Sequence, residues 1–253
     1  MDLIERQADS SGRHPWEIAR AGFFEGLIAR TVPAGAISVL DVGSGDAWLA
    51  AQLVEGRPDT SMTCWDLNYT EEDLAELPLA HPEINFGTTP GLDRFEGILM
   101  LDVIEHVEDD REFVRSIVER NLADDGWILI SVPAYQSLFV SHDRYLRHYR
   151  RYSPAQGRTL LESVGLSVEA EGGLFHSLLP ARGAVALKEK LRPVTGDSAG
   201  VGAWTHGKAM TSLVTAALSA DARFSLWMGA RSSMVLPGLS YWAFCRRAQT
   251  GVV

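Results

Sequence analysis

Cysteine is scarce. Cys64 and Cys245 are the two in 253 residues, too few for a disulfide framework, and they do not have metal-ligand spacing. Each lies in an apolar, strand-like run, which reads as a buried free thiol in a reducing compartment, and no metal site is read from the chain. Long apolar runs are also missing. Ala209 to Ala220, the longest uncharged stretch of the C-terminal part, falls short of the roughly 20 residues a bilayer span needs. The N-terminus, MDLIERQADSSGRHPWEIAR, has early acids and no apolar leader core. The expectation is a cytoplasmic protein without an integral membrane segment. Positive charge is in short supply too: the formal net charge is −10, against the basic face that a nucleic-acid binder turns to phosphates. A local basic cluster, Arg144 to Arg151, is the exception. No repeat or low-complexity tract stands out.

What is present alternates between two periods. Trp16 to Arg30 carries an apolar helical face. Strand-like runs follow at Ile37–Val42, Ser61–Leu67, Ile84–Thr88, Phe95–Val103, Trp127–Val132, Leu166–Ala170 and Leu239–Cys245. Helical stretches separate them: Ala47–Val54, Leu74–Leu79, one opened by a capping pattern at Asp109/Glu112, and one opened by Ser153-Pro154 with Gln156 and ended by Gly165. Asp125-Gly126 reads as a turn. Such alternation implies an α/β fold, a mostly parallel sheet covered on both faces. One domain spans 1–253, with an N-terminal helical cap over 1–34. Residues 177–234, Ser177 to Met234, form a helical insertion between the last two strands. Its helices are Leu178–Leu191 and Met210–Met228, joined by a Gly/Pro-rich linker at Arg192–His206.

The most informative segment is VLDVGSGDAWLA, Val39 to Ala50. A buried strand ends on Asp41, turns through Gly43-Ser44-Gly45 and enters a helix for which Asp46 suits the N-cap. Strand, glycine loop and helix form the crevice where open α/β sheets bind ligands. A dinucleotide fingerprint needs a third glycine where Trp48 stands, which disfavours a nicotinamide enzyme. Asp66 ends the second strand, where a carboxylate offers two acceptor oxygens to a ribose. LDVIEHVED follows the fourth strand, and SVPAYQSLFVSHDRYLRHYRRYSP runs from Ser131 to Pro154.

D-x-G-x-G, Asp66 and LDVIEHVED, in this order, resemble the class I S-adenosylmethionine-dependent methyltransferases, and in particular the ubiquinone-biosynthesis type with its metabolite-modifying relatives. The resemblance covers Arg13 to about Glu171 and resumes at Leu236 to Arg247. Ala47 stands where most members have a further glycine. The resemblance implies a Rossmann-like seven-stranded sheet, mostly parallel with the last strand antiparallel, and S-adenosyl-L-methionine as cofactor. It places Asp41, Gly43, Ser44 and Gly45 along the methionine and ribose, Asp66 on the ribose and Leu67 beside the adenine. Thr88 and Thr89 fall near the adenine edge, Leu101 and Asp102 beside the methionine part, and Arg20 near the methionine carboxylate.

Methyl transfer needs in-line positioning and, often, a base for the nucleophile's proton. His142, His106 and His148 are the candidate catalytic residues, each on a segment after a strand end. His142 and His106 are preferred, the former for its neighbouring Asp143. His14 lies near the same mouth. Tyr135, Tyr145 and Asp143 are candidate acceptor contacts. The reading is a methyltransferase for a small or lipophilic metabolite, such as a natural product or lipid-linked precursor. Oxygen is the preferred acceptor atom, with nitrogen and carbon open. The alternative is a non-catalytic methyltransferase-like subunit or membrane-surface module. Partners are the acceptor and a possible homodimer copy, and no nucleic acid. The insertion is expected to cap the acceptor pocket.

Overall fold

The computed structural model describes residues 13–192, 206–229 and 235–248. The start of the 1–34 cap, all but the ends of the Arg192–His206 linker and the last residues of the insertion lie outside them. Seven strands form one sheet: β1 (Ile37–Val42), β2 (Thr60–Trp65), β3 (Ile84–Gly87), β4 (Phe95–Leu101), β5 (Leu122–Pro133), β6 (Leu166–Leu174) and β7 (Ser240–Arg247). Their spatial order is β3-β2-β1-β4-β5-β7-β6. The first five pair in parallel, and β7 runs antiparallel to both of its neighbours. The seven-stranded α/β architecture expected from the sequence is the one observed.

Because both faces are covered, the parallel strands are buried almost without interruption. On one face, α1 (Pro15–Thr31) and α2 (Trp48–Gly56) pack Phe23, Phe24, Leu53 and Val54 against Val39, Leu99 and Phe244. On the other, α4 (Asp110–Asn121) and α6 (Pro154–Ser163) bring Val114, Ile117, Val118 and Leu161 onto Leu40, Ile98, Ile128 and Ala243. Two short helices, α3 (Glu71–Ala80) and α5 (Ser141–Tyr145), complete the connections.

The insertion divides into α7 (Leu179–Leu191) and α8 (Lys208–Gly229), and the two have different attachments. α8 lies along α1, burying Leu218, Ala222 and Leu226 in the first core layer, and Arg30 donates to the Leu226 carbonyl at 3.1 Å. It therefore completes a layer of the body. α7 contacts the loops at the carboxyl ends of β5 and β6. The insertion leaves the sheet after Leu174 and returns at Ser240, and these two are register partners.

Local chemistry explains most boundaries. Ser153 and Gln156 form a complete capping box on α6, and Gly165 takes φ +81° beyond its end. At α4 the box is only half made: Asp109 accepts from the Glu112 amide, while the Glu112 side chain is paired with Arg115. α3 begins at Glu71, earlier than expected, because Thr70 and Asp73 cap each other and Pro78 is accommodated inside it. Asp125-Gly126, expected as a turn, belongs to β5. That strand starts at Leu122 and absorbs the extra residues in an irregularity opposite Phe95–Gly97.

Gly157 sits inside α6, where alanine is ordinarily worth about 1 kcal/mol over glycine. Here a Cβ would lie 2.4 Å from the buried Tyr241 ring, so overpacking reverses the sign. Gly157→Ala should destabilise the protein by about 1–3 kcal/mol in urea unfolding, and a more stable variant would show that the ring can yield.

Candidate active site

The carboxyl end of β1 opens into a cavity lined by Trp16 and Arg20 of α1, Asp41, Gly43 and Ser44 of the glycine loop, and Leu101 of β4. Gly43 (φ +67°) and Gly45 (φ +57°) need the left-handed region, and a Cβ on Gly43 would strike the Val103 side chain at 2.8 Å. Ala47 is also left-handed, with φ +58°, which gives a backbone reason for the glycine most members have there. Ala47 takes the N-cap position of α2 without a side-chain bond, and Asp46, expected at that position, accepts from the Trp48 amide one residue earlier at 3.3 Å. Asp46 also pairs with Arg13, whose guanidinium lies over the Trp48 ring, so the start of α1 is tied across the loop. His14 is spent as the cap of α1, with its ring nitrogen accepting from the Trp16 amide at 3.2 Å.

Asp66 is buried directly after β2. Its two oxygens accept from the Gly45 amide at 3.0 Å and the Asn68 amide at 2.8 Å, so it anchors the glycine loop and still has a lone pair left on each oxygen. Ser44 and Tyr69 hydroxyls share a 2.8 Å hydrogen bond over the same loop. Leu67 is exposed beside this turn, and Thr88 and Thr89 are exposed at the end of β3. Arg20 lies between the Trp16 and Phe24 rings, and its Nη2 is 2.8 Å from the Asp102 carboxylate without the alignment of a hydrogen bond. A buried cation of this kind, beside a glycine-lined recess and two strand-end carboxylates, fits the amino-acid and ribose ends of S-adenosylmethionine. Asp102 itself has φ +61°, and the Ser131 hydroxyl donates to it at 3.4 Å.

The 3-10 turn Ile104–His106 links this cavity to a second cluster. Glu105 is fully buried with neither oxygen hydrogen-bonded, and burial, reinforced by Asp102, pushes its carboxyl well above the usual range. The ligand atoms of Glu105, His106 and His148 lie within 4.8 Å of one another, and the two imidazoles meet edge-to-face at 4.6 Å. No local spacing announces this group, because His148 joins it from a distant loop.

Asp143 organises that loop. One carboxylate oxygen meets His148 Nδ1 at 3.1 Å and accepts from Arg151 Nε at 2.7 Å; the other accepts from the Val140 amide at 2.8 Å and from Arg182 of α7 at 2.5 Å. Burial alone would raise this carboxyl, yet His148, Arg151 and Arg182 together hold it well below the usual range. Its lone pairs are spent, so Asp143 is a clamp and not the acceptor contact expected from the sequence. Asp143 does raise the His142 pKa as expected, but burial and Arg182 outweigh it and the net shift is downward, while the carboxylate meets the ring of His148. Glu189 of α7 adds a second tether, accepting from the Ser141 amide and hydroxyl at 2.8 and 2.6 Å. Tyr135 is half-buried at φ +62°, with burial raising its hydroxyl pKa, and Tyr145 is half-buried on α5. Tyr69, Ser131, Arg182 and Glu189 were missed by sequence reasoning. Tyr69, in the turn after Asp66, and Ser131, which opens the SVPAY segment, had a nearby motif to point to them, whereas Arg182 and Glu189 had none.

The profile of a methyltransferase-domain family matches residues 16–171. The chain belongs to that family, and its sheet is the class I architecture. A probable S-adenosylmethionine-dependent methyltransferase of Mycolicibacterium smegmatis is 29% identical over 146 residues, covering 54% of this chain and 55% of that protein, so the chain spans about half the length of its curated relative. Two solved structures share the fold at low identity. The plantazolicin methyltransferase BpumL, crystallised with a desmethylPZN analogue and SAH, has a TM-score of 0.54 at 15% identity, covering 93% of this chain and 85% of its own. The [4+2]-cyclase SpnF has 0.57 at 17%, covering 96% and 86%.

Two measurements follow from the electrostatics. Burial raises Asp41 from the usual carboxylate range to about 7, with Arg20 opposing and Asp66 adding to it. A raised folded pKa means that its contribution to stability is full below about pH 4 and lost as pH rises through about 7. Asp41→Asn should therefore stabilise the protein at pH 8 relative to pH 5, by up to about 3 kcal/mol in urea titrations. Asp143→Asn removes a fully buried charge from two arginines and should destabilise by about 3–5 kcal/mol, with tryptic cleavage appearing in α7.

Proposed function

We propose that the protein transfers the methyl group of S-adenosyl-L-methionine to a hydroxyl of a small or lipophilic metabolite. The observation that carries this reading is the continuity of the two clusters. Arg20 pairs with Asp102, the following turn presents Glu105 and His106, and His106 meets His148, which Asp143 orients. S-adenosylmethionine supplies an activated sulfonium methyl when bound. Arg20 would meet its carboxylate, Asp66 its ribose, and Gly43, Ser44 and Gly45 would give it close backbone approach, with Leu101 beside the methionine part and Leu67 and Thr88 at the adenine rim.

The acceptor's proton goes to an imidazole. With Nδ1–H donated to Asp143, the other nitrogen of His148 is the basic one, the arrangement that fixes a tautomer in triad chemistry. His148 thus moves ahead of His142 as base, with His106 between it and the cavity side of the cluster. Tyr135 and Tyr145 are proposed to face the acceptor.

A shared fold does not bring shared chemistry, as a cyclase among the fold neighbours illustrates, so the test reads methyl transfer itself. Calorimetry with S-adenosylhomocysteine should give a Kd that Asp66→Asn weakens about tenfold to a hundredfold, the loss of about 1.5–3 kcal/mol of charge-assisted hydrogen bonding. In single-turnover assays with labelled S-adenosylmethionine and phenolic or lipid alcohols, His148→Ala should slow transfer by about 10²–10⁴ with that Kd retained. Transfer slowed only a few-fold would leave positioning as the whole of catalysis. A chain that binds no S-adenosylhomocysteine would be a methyltransferase-like subunit instead.

A further inference from the structure

α7 is attached inside out. The residues it turns toward the body are polar or small: Arg182 to Asp143, Glu189 to Ser141, and the buried Ala186 between them. Leu179 at its start is half-buried, while the other two of its three leucines face the other way, Leu187 at 60% and Leu191 at 74% exposure. At about 100° per residue, exposed Lys188 and Arg192 flank these leucines on one side and exposed Lys190 on the other. α8 behaves likewise beyond its buried stripe, exposing Leu213 and the stacked Phe224 and Trp227, whose ring centroids are 6.1 Å apart.

Charge singles out what these faces fit. The described part of the insertion holds 6 of the chain's 23 basic residues but only 2 of its 33 acidic ones. Both acids are consumed internally, Glu189 at Ser141 and Asp221 at the amides of His176 and Ser177. What remains at the surface is apolar and cationic, on a protein that is otherwise strongly anionic. No described helix is long and apolar enough to cross a membrane, so the pattern is one of lying on a surface. A two-fold contact between copies would set these basic rims against each other.

We propose that the insertion is a membrane-surface element that docks on an anionic bilayer, with Leu187 and Leu191 entering the headgroup boundary and Lys188, Lys190 and Arg192 meeting lipid phosphates. The surface does not depend on which reaction the site performs. Arg182 and Glu189 fasten the same helix to the loop that carries His148, so docking sets that loop beside the bilayer.

The test uses the full chain with vesicles of phosphatidylcholine alone or mixed with phosphatidylglycerol, read by co-sedimentation. The protein should partition onto the mixed vesicles at low salt, be released at high salt and leave the neutral vesicles empty. Each basic residue removed should weaken partition about fivefold, so Lys188→Glu with Lys190→Glu should abolish it. Leu187→Ser with Leu191→Ser should abolish it too, with an unchanged thermal unfolding curve, since both side chains are exposed. No partition onto the anionic vesicles, or partition that survives both double variants, overturns the proposal. Light scattering that shows a dimer split by the leucine variant assigns the face to a second copy and overturns it equally.

Discussion

One carboxylate holds the mouth of this protein together. Asp143 gathers the end of β5's loop through Val140, the HYRRY segment through His148 and Arg151, and α7 through Arg182. A buried charge with four partners is costly to desolvate and far costlier to strip of any one of them. The arrangement therefore specifies position more than it adds stability: the loop after β5, the HYRRY segment that follows it and the distant α7 have one mutual geometry in which that charge is satisfied. The orientation of His148 and the placement of α7 are both consequences of it.

The parts of the fold that could be read in advance were those written locally. β1 was legible to the residue because an unbroken apolar run ends at an acid and a glycine pair, and α6 because serine, proline, glutamine and a final glycine mark its two ends. Boundaries failed where tertiary contacts decided them. β5 begins early because Leu122 finds Phe95, and α3 begins early because its own capping box outweighs an internal proline. The glycine loop, Asp66 and Arg20 came from motif and order, since a nucleoside crevice is built mostly from one stretch of chain. The histidine cluster resisted, because sequence adjacency suggested His142 with Asp143, whereas a short helix sends neighbouring side chains in different directions and delivers His148 to the carboxylate instead.

The two halves of the site also differ in electrostatic character. Around β1 the excess is negative, with Asp41, Asp66 and Asp102 near a single buried arginine, and burial keeps Asp41 and Glu105 inclined to hold protons. Around Asp143 the excess is positive, with Arg151 and Arg182 on one carboxylate. A negative environment favours a cation and a positive one an anion that develops in a reaction, which is the division the proposed function uses. The gradient runs along the turn Ile104–His106.

The insertion leaves β6 at Leu174 and rejoins β7 at its register partner, Ser240. Everything between is a side excursion whose two ends are already neighbours in the sheet, so closing the loop adds entropy cost only logarithmically with its length. Residues can be gained, lost or exchanged there without a change of strand register. The restraints are the α8 stripe that α1 requires and the tethers of α7, Arg182 on Asp143 and Glu189 on Ser141. The scaffold thus separates the sheet from its attachment at a single rung, so an exchange of the attachment leaves the crevice at β1, beyond β5 and β4 in the sheet order, untouched.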